Sequence, residues 1–347
     1  MTDYGIFLPN GSNGYVMSNA VPRFEPTFEN QLDIVKLGER HNFKYALPMI
    51  KFRGFGGDTG CWDSCVEPFT LVAGLAAATS NMTFYPTLST LAIHPVVAAQ
   101  MIASLDQISQ GRCGINIITG WNQAEYEQMG LWPGEDHYAM RYDFVSEYLD
   151  ILKMIWSEES VTYKGNHFEL NDCRISPKPK GDIEVVSAGQ SREGIAFVNK
   201  YADYRFVIGN PNAIQRLAAE RDAPRDFGTY LLIHILSDDT DELAEERVDQ
   251  IINDADKPAI EEMIRCSSAD KTTSGTSELL RKGLSASAGE GNLAFGAHPC
   301  IYGSHETVAR KLSKITEDVN PAGFMFSWAD YHTGIKEFGE KIFPHLN

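Results

Sequence analysis

Short apolar runs recur along this chain, each bounded by glycine, proline or a polar turn, and most lead into a stretch with apolar residues at helical spacing. The runs are Tyr4–Leu8, Tyr45–Pro48, Met82–Thr87, Cys113–Ile117, Glu184–Ser187, Tyr204–Ile208, Thr229–Leu236 and Ala322–Trp328. Helical spacing follows over Phe28–His41, Glu67–Thr79, His94–Ser109, about Asp136–Trp156, from Ser191, after Pro211, over Asp238 to about Asp254, from Gly303, and over Gly334–Phe343. Thr27 and Ser304 stand where N-caps belong, and Pro95 suits a first helical turn. Eight strand–helix units predict the α/β class and a (β/α)8 TIM barrel. A doubly wound open sheet is the rival, but no GxGxxG follows the first strand.

Two excursions interrupt the alternation. After the fourth strand's helix, Val161–Leu170 reads as a hairpin turning at Lys164–Asn166, and Cys173–Pro179 as an extended connector held out of helix by its prolines. After the seventh unit, 257–298 contains the polar pieces SADKTTSGTS and SASAGEGN, and reads as a less regular insertion, mobile or closing over a site. The whole chain, 1–347, is read as one barrel domain carrying that insertion.

Composition narrows the function classes. A net charge of −17 with no compensating Lys/Arg cluster argues against a nucleic-acid or anionic-membrane surface. No apolar run approaches the roughly 18 residues of a membrane span, and no signal-peptide pattern opens the chain, so a cytoplasmic protein is expected. The six cysteines form no CxxC pair and no zinc pattern, the histidines no HxH or HExxH, and there is no GxSxG elbow. A metal centre or activated nucleophile is therefore not expected.

In a parallel barrel, chemistry sits at the C-terminal ends of the strands. Leu47, Ile50 and Lys51 follow the second strand, Thr87 the third, and Asn116, Trp121 and Glu125 the fourth. Arg141 and Tyr142 open the next helix, and Ser191 the one after the fifth strand. Asn116 and Thr87 are polar groups on apolar strands, whose partner is either a ligand or the backbone. Trp121 is either a pocket wall or core packing. Arg141 beside Tyr142 suits a phosphate, or is a solvated helix residue; Ser191 suits an anion at a helix start, or is an N-cap. The glycine-rich loop behind Lys51 and Arg53 could cradle a phosphate but lacks the P-loop form. Glu125 and Glu127 show no sign of forming an acid–base pair. A polar, metal-free barrel mouth with phosphate-suited groups fits an organic cofactor that brings its own reactivity.

Ile115-Asn-Ile-Ile-Thr-Gly-Trp121, Glu125-Tyr-Glu127, Arg141-Tyr142, Ser176-Pro-Lys-Pro179, Ala188-Gly-Gln-Ser191 and Gly303-Ser-His-Glu-Thr-Val-Ala309 resemble the bacterial luciferase-like flavin monooxygenases. Pro48-Met-Ile-Lys-Phe-Arg-Gly-Phe-Gly-Gly57, Glu125–Gly134 and Asn171–Pro177 resemble that family's pyrimidine-oxygenase branch. The resemblance implies reduced FMN supplied by a separate NAD(P)H-dependent flavin reductase, with O2 as co-substrate. It implies FMN contacts at Ile50, Lys51, Asn116, Glu125, Arg141, Tyr142 and Ser191, the last three nearest the phosphate. It further implies an oxygen pocket lined by Leu47, Thr87, Asn116 and Trp121, where Thr87 and Asn116 could hydrogen-bond a developing peroxide. The implied reaction is flavin-peroxide attack on a carbonyl carbon that opens the ring amide of uracil or a related N-heterocycle, in a homo-oligomer (dimer or tetramer). The alternatives are the same chemistry on a sulfone, sulfonate or other electrophile, a flavin-sequestering protein, and a deazaflavin-dependent dehydrogenase. Pro48 stands where the pyrimidine branch tends to carry serine, and His94-Pro95 replaces a more apolar stretch at the pocket's edge.

Overall fold

The computed structural model describes residues 2–270, 278, 282 and 286–346. Its strands are β1 (Asp3–Leu8), β2 (Tyr45–Pro48), β3 (Thr83–Phe84), β4 (Thr87–Ser89), β5 (Ile115–Ile118), β6 (Val161–Lys164), β7 (Glu169–Cys173), β8 (Val185–Ser187), β9 (Tyr204–Ile208), β10 (Gly228–Asp238), β11 (Cys300–Ser304) and β12 (Gly323–Ser327). The main sheet runs β3-β2-β1-β12-β10-β9-β8-β5-β4, every pair parallel. The ends of this path, β3 and β4, are halves of the single apolar run expected at Met82–Thr87. Pro86 has no N–H for the ladder, so the run breaks there: Thr83 and Phe84 face β2, while Thr87–Ser89 face β5. The sheet is thus curled upon itself.

Period-two alternation divides each strand between two cores. Tyr45 and Leu47, Phe206 and Ile208, and Tyr230 and Leu232 point inward, with Tyr85, Val186 and Met325, as one buried cluster. Ala46, Val207, Leu231 and Ile233 point outward into the layer covered by helices. Tyrosines fill the strands' N-terminal end: Tyr230 stacks between Tyr45 and Tyr204 at 4.4 and 4.3 Å. With that end plugged, the space inside opens at the C-terminal end.

The helices that matter below are α1 (Phe28–Arg40), α2 (Pro68–Ala77), α3 (Pro95–Ser109), α4 (Gln123–Glu127), α5 (His137–Ser157), α6 (Arg192–Tyr201), α7 (Pro211–Ala219), α8 (Asp241–Asn253) and α9 (Lys257–Ser267). Their starts are fixed by side chains: Thr27, Glu67, His94, Ser191 and Asp256 each accept a backbone N–H of the following turn. His94 is therefore a helix cap, as expected. The hairpin forms as β6–β7, outside the main sheet.

Three expectations need correction. The insertion begins with a regular helix, α9, because Asp256 caps it, Pro258 suits its first turn, and Ala259, Ile260, Met263 and Cys266 make one buried face. Much of its polar sequence, 271–277 and 283–285 included, lies outside the described residues. The helical stretch expected from Gly303 starts later: Cys300–Ser304 is β11, paired in parallel with the outer half of β10, and the helix runs His305–Val319 with Ser304 as N-cap, as expected. The last helical stretch begins earlier, at Tyr331, and is α-helical only to Glu337. All six cysteines are free thiols. Among the described residues, no helix is long and apolar enough to cross a membrane.

Candidate active site

A cavity of about 260 Å³ opens at the strands' C-terminal end, and all ten residues singled out from the sequence line it. Leu47 lies on the inward face of β2, and Ile50 and Lys51, just past the strand's end, line the same cavity. The Lys51 ammonium pairs with Glu125 Oε2 at 3.0 Å, both side chains being buried. The second Glu125 oxygen accepts the Phe52 N–H at 2.7 Å. Three rings surround the ammonium, Phe55 at 4.7 Å, Trp121 at 5.1 Å and Trp62 at 5.8 Å. Lys51 is thus not a free cradle for phosphate, and Arg53 beside it points to solvent. Glu127 takes no part; it accepts a hydrogen bond from Gln123.

Across this wall, Thr87 and Asn116 stand opposite one another in the β4–β5 register. The Thr87 hydroxyl donates to the Pro48 carbonyl at 2.6 Å and accepts from Asn116 Nδ2 at 3.0 Å. Its one proton is spent on the backbone. In this arrangement Thr87 anchors Asn116. The Asn116 Oδ1 is buried without a partner, an acceptor in the cavity wall that lacks an N–H or O–H.

On the third side, Arg141 is no solvated helix residue. Its guanidinium is buried, pairs with Asp270 at 3.1 Å, and lies 5.5 Å from the Tyr142 ring and 5.7 Å from the Tyr138 ring. Its Nε has no hydrogen-bond partner. Ser191 is the N-cap of α6, accepting the Gly194 N–H at 3.0 Å. Tyr142 lines the same cavity; burial raises the pKa of its hydroxyl, while Arg141 and Ser191 pull it down. A Cβ on Gly189 would meet the Gly194 carbonyl oxygen at 2.6 Å, so backbone packs against backbone where α6 begins.

The fourth side comes from the 257–298 segment, one of whose two readings was closure over a site, though none of its residues was singled out. Met263 of α9, Asp270, and the turn Gly296-Ala297-His298 complete the lining, together with Phe7, Tyr15 and Phe206. The cap-and-Pro start of α9 could have pointed to Met263; nothing in the spacing points to His298. Burial lowers the His298 pKa to about 3, so its ring is neutral. Burial also pushes the thiols of Cys61, Cys113 and Cys300 far above their ordinary range, which leaves them inert. Among the described residues, no group of three or more His, Cys, Asp or Glu could hold a metal ion.

A family model described as luciferase-like monooxygenase matches residues 2–319. The chain belongs to that family. It is 41% identical over 351 residues to a protein named pyrimidine monooxygenase RutA from Pseudomonas savastanoi pv. phaseolicola (strain 1448A / Race 6), spanning 99% of this chain and 96% of that one. Its fold is similar to that of EDTA monooxygenase (EmoA) from Chelativorans sp. BNC1, with a TM-score of 0.81 at 18% identity over 99% of this chain and 93% of that one. It is also similar to the oxygenating constituent of 3,6-diketocamphane monooxygenase of Pseudomonas putida in complex with FMN. There the TM-score is 0.70 at 17% identity, over 100% of this chain and 99% of that one. These likenesses match the curled parallel sheet to the TIM-barrel structures of luciferase-like monooxygenases. Membership makes the protein an oxidoreductase acting on a small molecule.

Proposed function

We propose that this luciferase-like monooxygenase is the oxygenase of a two-component system. It would take reduced FMN from a separate NAD(P)H-dependent flavin reductase and use O2 to open the ring amide of uracil or a related pyrimidine or N-heterocycle. The observation that carries this reading is the unpartnered Asn116 Oδ1, held by Thr87 in the cavity of a chain so similar to a named pyrimidine monooxygenase. Both a reduced flavin ring and a pyrimidine amide present the N–H that this acceptor lacks.

The residues fit FMN at both of its ends. Arg141 Nε, the Ser191 cap and the close Gly189–Gly194 backbone at the start of α6 suit the phosphate, and Asn116 suits the ring. When bound, reduced FMN supplies the electrons that activate O2. The chain's own part is positional. Thr87 fixes the Asn116 amide, Leu47 and Trp121 keep water from the ring's side, and the caged Lys51–Glu125 pair holds the loop after β2 against α4 as a rigid wall. Ile50, Tyr142 and Glu125 complete the cofactor's surround.

The test mixes protein, reduced FMN and uracil anaerobically, admits ¹⁸O2, and reads products by mass spectrometry. A labelled, ring-opened product is expected. Flavin oxidation yielding only hydrogen peroxide would move the substrate to other heterocycles or to sulfones, and failure to bind reduced FMN would end the reading.

A further inference from the structure

The floor of the cavity is apolar except at one place. Phe7 and Tyr15 stack there at 4.2 Å, Phe206, Ile208 and Leu232 lie beside them, and the Tyr15 hydroxyl is committed to the Leu8 carbonyl. His298 is the polar exception. Its ring abuts Tyr15 at 5.2 Å and Phe7 at 5.8 Å. The backbone bends sharply to place it: Gly296 and Ala297 both adopt the left-handed region, which costs an alanine energy that the surrounding fold must supply.

The proton on this ring can be located. Ser327, completely buried at the end of β12, meets two imidazoles through its single hydroxyl: His234 Nδ1 at 3.1 Å and His298 Nδ1 at 3.3 Å. Both rings are neutral, their pKa values pressed down to about 3 by burial. The hydroxyl has one proton, so it donates to one ring and accepts from the other. His234 is fully buried and its Nε2 has no partner. A buried orphan N–H is rarer in folded proteins than a buried orphan acceptor. The proton of His234 therefore sits on Nδ1 and is donated to Ser327. Ser327 then donates to His298 Nδ1, which leaves the proton of His298 on Nε2, the nitrogen not engaged by Ser327.

From this relay we infer that His298 Nε2–H is the donor that receives a carbonyl oxygen of the substrate on the cavity floor, with Ser327 and His234 as positioning residues. The inference rests on the ring-amide reading above, because it needs a substrate with an outward carbonyl. It gives the floor a neutral donor, separate from the Asn116 acceptor on the wall that suits the flavin ring. Because the donor is a neutral ring, it holds a neutral carbonyl without attracting anions into the apolar floor.

The experiment has two parts. Nitrogen NMR of histidine-labelled protein should show His298 protonated on Nε2 and His234 on Nδ1; the reverse pattern overturns the relay. Uracil is then titrated into the FMN-loaded protein and its variants. His298→Phe keeps a ring but removes the donor, and should weaken uracil binding about tenfold without changing the affinity for FMN. His298→Gln, which keeps an N–H near the Nε2 position, should recover much of the loss, and Ser327→Ala should give an intermediate effect. A packing role alone would not be rescued by Gln. If the unaltered protein binds uracil and His298→Phe binds it equally well, the inference falls while the flavin-oxygenase reading stands. If the unaltered protein holds FMN but no uracil, the ring-amide reading has failed and this inference with it.

Discussion

Two buried ion pairs face the same cavity, and they are finished to different degrees. In Lys51–Glu125 both carboxylate oxygens are used and the ammonium is wrapped by three aromatic rings. In Arg141–Asp270 the guanidinium keeps an Nε with no partner, and Arg141 lines the cavity together with Ser191, the cap of α6. A satisfied buried pair ties two segments together across the chain, here the loop after β2 and α4. An unsatisfied one retains capacity for a ligand, because desolvation has been borne and a hydrogen bond is still owed. The first pair reads as fixed wall, the second as a socket.

The largest expected effect comes from breaking the finished pair. Glu125→Ala strands a buried ammonium and should lower unfolding stability by about 3–5 kcal/mol in urea titrations. A loss below about 1 kcal/mol would show that the rings alone hold Lys51. Next comes the socket. Arg141→Ala should weaken FMN by about 1.5–3 kcal/mol, the worth of a hydrogen bond to a charged group, and leave riboflavin, which lacks the phosphate, almost untouched. Equal losses for both flavins would remove Arg141 from the phosphate. Asn116→Ala touches neither pair; it should cost about 1 kcal/mol in stability yet uncouple flavin oxidation from product. Full coupling in that variant would end its proposed role. The smallest effect sharpens the contrast most. Asp270→Asn should lower stability without cofactor and tighten FMN by about 1 kcal/mol or less, since a competing negative charge is gone. Weaker FMN binding would instead mean that Asp270 aims Arg141.

The curled parallel sheet and its helices were legible because the strands are short apolar runs with punctuation at both ends, and because caps such as Thr27, Ser191 and Ser304 are local signals. The break at Pro86 and the strand β11 were not. The first depends on which neighbour each half of the run finds. The second is a glycine-containing pentapeptide whose partner is the overlong end of β10. The three walls carrying Leu47, Ile50, Lys51, Thr87, Asn116, Trp121, Glu125, Arg141, Tyr142 and Ser191 lie at strand ends and helix starts, where position in the pattern already suggests the cavity. The pairings they make were hidden: nothing in the spacing shows that Thr87 donates to the Pro48 carbonyl, or that Arg141 pairs with Asp270, 129 residues away. His298 was beyond reach for the same reason, since its meaning depends on Ser327 and His234, which only the folded sheet brings together.

The aromatic wall around Lys51 has an optical consequence. Two of the chain's five tryptophans, Trp62 and Trp121, line the cavity. Indole emission overlaps flavin absorption, so any flavin seated there should darken these two and leave Trp132, Trp156 and Trp328 less affected. Occupancy of the cavity can then be followed in the unaltered protein by its own fluorescence, with no label attached.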